Sequence, residues 1–263
     1  MTSALMTLGT RAMFAAFAQL QVTGQNIANA GVDGYSRQSA ELATAKGQFT
    51  GAGFFGKGVD VATVKRAHDV FLTREAAAAT SLAQMDKARL DQLERLEAVF
   101  PTGERGIGYA AGQFLNAMVD LASNPRDIST REVVLARAQE VAARFAQAGR
   151  QVDTLQAGVT LDLKNAVAAV NELAKSIAEV NQQIAQLKGL GHAPNDLLDQ
   201  RDRLVNQLSG YIAVSTIPAD DGTLGVFVAG GQRLVLSNQA QPLTVTADLL
   251  DPSRSAIGMA DAG

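Results

Sequence analysis

Seven positions in the first thirty residues, Leu8, Ala12, Ala15, Gln19, Val22, Asn26 and Asn29, follow one another at alternating steps of 4 and 3. That spacing predicts a helix over about 3–30 with one face built to meet another helix. Leu5 leads into the seam, and a second stripe of Met13, Phe17, Leu20, Gly24 and Ile27 widens the apolar face. Gly31 supplies the stop. The seam begins apolar and ends in amides, and a buried amide costs free energy unless a facing group bonds it. Partners for Asn26 and Asn29 are therefore expected from outside this helix.

The same alternation recurs at Ala166, Val170, Leu173, Ile177, Val180, Ile184 and Leu187. Ser129-Thr130-Arg131-Glu132 has the form of a capping box opening this helix. A helix from 130 to 187 would be about 85 Å long at 1.5 Å per residue. Two further helices are expected. One runs over about 66–100, with Leu82, Met85, Leu93, Leu96 and Phe100 inward, and ends at Pro101 and Gly103. The other runs over about 108–122 and stops before Asn124-Pro125. A 47% apolar content with only 5% aromatic residues favours helices packed closely over small side chains.

After Gly189 and Gly191 a last helix opens near Asn195 or Asp196, with Leu197, Leu198, Leu204, Val205 and Leu208 buried and Asp199 paired on the surface with Arg203. Beyond Gly210, short β-like runs over 212–217, 224–228, 233–236 and 243–245 are separated by Asp221-Gly222 and Gly230-Gly231 turns. The last residues are polar. The fold class expected is mainly α: an elongated antiparallel bundle with long coiled-coil-like helices. A Gly-rich extended or hairpin segment lies near the N-terminus, and a small β region at the C-terminal end. The corresponding division is 1–34 as an N-terminal helix, 35–65 as a Gly-rich linker with a strand, 66–210 as a helical rod, and 211–263 as a small β-rich segment of an incomplete domain.

Chemistry is poorly served by this chain. Residues 31–58 hold seven glycines, and Gly51 to Gly56 fits G-x-G-x-x-G. Gly58 stands where a phosphate loop needs Ser or Thr, however, and Val59, Val61 and Val64 read as a strand instead of a phosphate-binding helix. The absence of cysteine removes disulfides and thiolate metal sites. A net charge of −3 offers no basic field for nucleic acid, and no apolar run reaches the about 18–20 residues of a membrane span. Asp196, Asp199 and Asp202 recur every three residues, which spreads them around a helix as a solvated start and not as a metal site. His68, expected at the surface, and His192, expected in a loop, each lack a second ligand at helical spacing. Ser36 lacks a nucleophile elbow. No enzyme activity, cofactor or metal is expected.

Asn26-Ile27-Ala28-Asn29 followed by Gly34-Tyr35-Ser36-Arg37-Gln38 closely resembles the N-terminal signature of bacterial flagellar axial proteins, the rod, hook and hook-associated family. Asn195-Asp196-Leu197-Leu198-Asp199-Gln200-Arg201-Asp202 is similar to a motif of its hook–filament junction members. The resemblance covers roughly residues 3–245. It implies a structural subunit exported unfolded through the flagellar channel without a cleaved signal, although Ala28-Asn29-Ala30 mimics a cleavage site. It implies an extracellular ring or tube of like subunits, in contact with the hook protein and the second junction protein, with Leu5, Leu8, Ala12, Ala15, Gln19, Val22, Asn26, Ile27, Asn29, Gly34 and Tyr35 building the inner-tube packing. The motif from Asn195 to Asp202 would stabilise the helical body. The chain has Val32-Asp33 where the family commonly carries Thr, and it shows no C-terminal amphipathic helix to cover residues 3–30. Another hook or rod protein, or a secreted coiled-coil interaction protein, is the alternative.

Overall fold

The computed structural model describes residues 2–51, 53–189, 194–228, 230–248, 251 and 254–260; Gly191 and His192 lie outside them. It is mainly helical, with α1 (Thr2–Ala28), α2 (Val70–Val99), α3 (Ile107–Ser123), α4 (Ile128–Lys188) and α5 (Asn195–Ser209). The helix over 128–188 is a single element of 61 residues. Among the described residues no helix is long and apolar enough to cross a membrane. By contacts the chain divides into two compact units.

The first unit comprises Met1–Leu82, Ala168–Thr244 and Ile257–Gly263. Here β1 (Gln38–Thr44) and β4 (Val59–Arg66) pair antiparallel from Gln38↔Arg66 to Thr44↔Val59, and between them β2 (Gln48–Thr50) and β3 (Gly53–Phe55) form a smaller hairpin. The glycine motif at 51–56 thus makes a β-turn region and opens no helix. One face of α1 lies on β1 and β4. The helix ends without Gly31, and it is Gly34, at φ 76°, that supplies the left-handed turn into the strand.

The core of this unit is the 170–184 seam with α5 and a four-stranded sheet. That sheet runs in the order β5 (Val214–Pro218), β6 (Leu224–Val228), β7 (Gln232–Leu236), β8 (Gln239–Ala240). Ile177, Ile184, Leu208, Val226, Leu234 and Val235 are fully buried. The seam therefore meets a sheet and a short helix instead of a coiled-coil partner. Gly222, Gly230 and Gly231 take positive φ at the two turns that Asp221-Gly222 and Gly230-Gly231 mark. The run expected over 243–245 is β9 (Leu243–Ala247), and it pairs with β10 (Ser255–Met259), a strand the polar tail did not suggest.

Two strands are fastened to α4 by one device. Asn181, with no exposed surface, donates Nδ2 to Leu224 O (2.9 Å) and accepts Leu224 N–H on Oδ1 (3.0 Å). Its Nδ2 also reaches Ser237 O at 2.8 Å. Asn171 repeats the pattern on Leu243, at 2.9 and 2.8 Å. An amide side chain carries the same donor and acceptor as a peptide unit, so it completes the hydrogen bonding of a strand residue as a neighbouring strand would.

The second unit comprises Ala83–Val167 and Val245–Ala256. Its helices bury small residues, Ala110 and Ala117 on α3 and Ala148 on α4, while Leu93, Leu96 and Phe100 stay exposed. The large side chains of α2 point outward, contrary to their expected inward stripe; Leu82 and Met85 are exposed as well. Ser129 lies inside α4 and does not cap it; the Asp127 carboxylate accepts the Ser129 N–H at 2.9 Å instead. Arg144 donates to Glu104 O and Gly106 O and, at 2.6 Å, to Glu140.

Hydrogen bonds from Arg137 and Arg144 hold the Glu140 carboxyl below the 4.5 of a free glutamate. Because the folded value is the lower one, this stabilisation is complete above about 4.5 and fades as pH falls through the folded value. Acid titration followed by NMR should place Glu140 below the value of a free glutamate, and Arg137→Ala combined with Arg144→Ala should remove the difference. Asn181→Ala, which strands the Leu224 N–H and C=O in the core, is expected to cost about 2–4 kcal/mol in denaturant unfolding. Asp127→Ala should cost only about 1 kcal/mol.

Candidate functional site

Some of the residues singled out by sequence meet in one place within the first unit: Asn26, Tyr35, Asn195, Asp199 and Asp202 all bond to the start of β1, the end of β4 or each other's partners there. Asn26, on the last turns of α1, donates Nδ2 to Gln38 O and accepts Gln38 N–H, both at 2.8 Å, and its Oδ1 also accepts the Tyr35 hydroxyl at 2.9 Å. This is the third instance of a helical asparagine completing a strand residue. The amide does find its partner outside the helix, as its chemistry demands, but in the strand of the same chain and not in another helix. Asn29 is satisfied locally, on Gln25 O at 2.9 Å.

β1 and β4 are also held by α5. Asn195 donates to Val64 O at 2.9 Å and to Gln38 Oε1 at 3.2 Å, so it bridges the two strands and does not cap its helix. Asp199 accepts the Ser36 N–H at 3.0 Å on one oxygen and Arg66 Nη1 at 2.8 Å on the other. Arg66 also reaches Asp202 at 2.6 Å, and His68 Nδ1 lies 3.5 Å from the same carboxylate. Side chains three apart on a helix are neighbours, so Asp199 and Asp202 converge after all, on a guanidinium. The expected surface pair Asp199–Arg203 is absent, because Asp199 is buried and engaged elsewhere. Nor is His68 a surface residue; its side chain is largely covered.

Gly34 and Arg203 lock together by shape. A Cβ on Gly34 would stand 2.1 Å from Arg203 Cγ, so the arginine stem occupies the room a side chain would need. Arg201, buried behind the strands, donates to Gly222 O at 2.7 Å and to Asn181 Oδ1 at 3.2 Å. Burial pushes its guanidinium below the usual range, partly offset by Asp202 and reinforced by Arg66. Burial also pushes the Tyr35 phenol up, with Asp199 and then Asp196 adding to the effect. That keeps it a proton donor to Asn26. Asp196 and Gln200 are exposed, and Leu197 and Leu198 half-buried.

Along α1, the seam faces the hairpin at Leu8 (against Gly58), Ala15, Val22 and Asn26, with Arg11 bound to both oxygens of Asp60 at 2.9 Å. Leu5, Ala12, Gln19 and Ile27 are exposed. So is the second stripe: Met13, Phe17 and Leu20 are 73%, 64% and 69% exposed. The engagement of Arg66 and Arg11 is the feature sequence reasoning missed. Neither has its carboxylate partner nearby in sequence, and only the topology brings Asp60 to Arg11 and Asp199 and Asp202 to Arg66.

The arrangement is a joint of amide hydrogen bonds and ion pairs, and among the described residues no group of three or more His, Cys, Asp or Glu side chains could hold a metal ion. A model described as the helical domain of the flagellar hook-associated protein FlgK matches residues 93–263. Flagellar hook-associated protein 1 of Salmonella typhimurium is 30% identical over 261 residues, 98% of this chain and 47% of that protein. The protein of the same name from Bacillus subtilis is 31% identical over 268 residues, 98% of this chain and 50% of its own. The structure of the flagellar hook junction protein FlgK from Burkholderia pseudomallei superposes with a TM-score of 0.64 at 30% identity, covering 73% of this chain and 34% of that one. The chain spans about half the length of the curated relatives it matches.

Arg66→Met leaves two carboxylates without their cation and is expected to destabilise the chain by about 3–5 kcal/mol in urea unfolding, with Asp199→Asn and Asp202→Asn recovering part of the loss. Gly34→Ala should cost more in the wild-type background than beside Arg203→Ala, and a double-mutant cycle measures that coupling.

Proposed function

The chain belongs to the FlgK family of flagellar hook-associated proteins, and from that premise we propose that it is a structural, non-enzymatic subunit of the bacterial flagellum at the hook–filament junction. It assembles with copies of itself through α1 and is needed for the filament to attach. Its neighbours there are the hook protein and the second junction protein, and it reaches the cell exterior through the flagellar export apparatus.

The observation that carries this is the division of α1 into two faces. One face is satisfied within the chain by the hairpin and the joint. The other, from Leu5 through Met13, Phe17, Leu20 and Ile27, is apolar, largely uncharged and open. A soluble chain gains about 25 cal/mol for each Å² of such surface it removes from water, and a tube of helices packed side by side removes it. The joint sets the direction in which α1 leaves the body, which an assembling subunit must hold constant from copy to copy.

The absence of a cleaved signal has support in the same contacts. Arg11, Asn26 and Asn29 belong to the folded unit, and a cut after Ala30 would strip the hairpin of its cover and leave the Gln38 peptide groups unpaired.

Deleting the gene from its host should leave cells with hooks and no attached filaments, and the wild-type gene should restore both filaments and swimming. Phe17→Asp with Leu20→Asp, placed on the open face of α1, should fail to restore them while keeping the wild-type circular dichroism spectrum and unfolding midpoint. Filaments formed normally by that double variant would contradict the proposed role of α1.

A further inference from the structure

The β2–β3 hairpin presents three aromatic side chains to solvent. Phe49, Phe54 and Phe55 are 70%, 77% and 57% exposed, and the rings of Phe49 and Phe54 meet at a centroid distance of 6.1 Å. Lys46 and Lys57 flank them and are exposed as well. An apolar cluster of this kind at the end of a ribbon, rimmed by cations, is a surface with an interaction to make.

At the other end of the same ribbon is a groove of about 870 Å³, the size of a cleft that takes several side chains. Leu72, Ala76 and Val205 are among its apolar lining, and Asp33, Asp69 and Asp202 line it together with Arg203 and His68. The Asp202 charge is shared with Asp199 on Arg66, so the acidic excess survives that pairing. Groove and hairpin end thus have opposite charge around apolar centres, the complementarity that steers two surfaces together and fixes their register.

They cannot meet within one chain. The groove lies at the Gln38↔Arg66 end of the ribbon and the aromatic end lies past Thr44↔Val59. Seven strand residues at about 3.3 Å each put them more than about 20 Å apart.

We propose that the β2–β3 end of one copy docks in the Asp33–Asp69–Asp202 groove of a second copy. The contact is heterologous, one surface meeting a different one, so it repeats from copy to copy and closes into a ring or runs on as a helix. It rests on the reading of the chain as a self-assembling subunit and adds an interface distinct from the open face of α1.

The chain has no cysteine, so single introduced cysteines report the contact directly. A disulfide needs its two Cβ atoms about 4 Å apart, and an oxidised mixture of Phe54→Cys and Leu72→Cys chains should give about tenfold more linked dimer than Phe54→Cys mixed with Lys87→Cys. Lys57→Glu in the first chain should return the yield to the control level, and Asp33→Lys in the second should restore it; both sites are exposed. A yield no higher than the Lys87→Cys control, or one indifferent to Lys57→Glu, would overturn the docking. Dimers of Met13→Cys chains without any Phe54–Leu72 link would overturn it while leaving the subunit reading intact. A chain that sediments as a monomer at every concentration and forms neither link would overturn both.

Discussion

A strand residue that lies beside a helix has no ladder partner on that side, and its buried N–H and C=O must still be paired. In the first unit this requirement is met three times by an asparagine amide on a helix: Asn26 on Gln38, Asn181 on Leu224 and Asn171 on Leu243. Each fixes register as well as proximity, since a slip of one residue would present the amide with a strand residue facing the other way. The positions of the N-terminal ribbon on α1 and of the C-terminal strands on α4 follow from these three side chains. Apolar packing then fills the space they define.

Charge completes what the amides begin. Arg66 on β4 pairs with both Asp199 and Asp202 on α5, and the second oxygen of Asp199 holds Ser36. A buried ion pair is weak evidence for stability by itself, but here its members sit on elements more than 130 residues apart in sequence. What it secures is the choice of partner. The stretch around residues 26–38 and the stretch around 195–203, separated by most of the chain, are two halves of one joint.

Local periodicity made the helices and half of the described strands, β4, β5, β6, β7 and β9, legible. The steps at 166–187, the Gly222, Gly230 and Gly231 turns and the valines of β4 each state their conformation within a few residues. At the amide ending of the α1 seam, Asn29 bonds back to Gln25 O, whereas Asn26 has the outside partner its chemistry requires. What the residues did not reveal was where that partner lay, because hydrogen-bond convergence depends on topology and not on spacing. Asp199 read as a solvated helix residue, since nothing near it in sequence is cationic except Arg201 and Arg203, and neither pairs with it. The α2 leucines read as core, since periodicity marks an apolar face without saying whether anything covers it. Asp127 was passed over for Ser129 because both fit a cap and only the backbone path chooses between them.

The claim on which the account turns is that the joint is closed in the isolated chain, so that α1 and the ribbon form one body with α5 before any other molecule arrives. Amide hydrogen exchange at Ser36 and Gln38 tests it most directly, because their N–H groups are held only by the side chains of Asp199 and Asn26. Both amides are expected to exchange as slowly as those of α5 and to speed up together in Asp199→Ala. Exchange of Ser36 and Gln38 at the rate of an unstructured peptide, with α5 still protected, would contradict it.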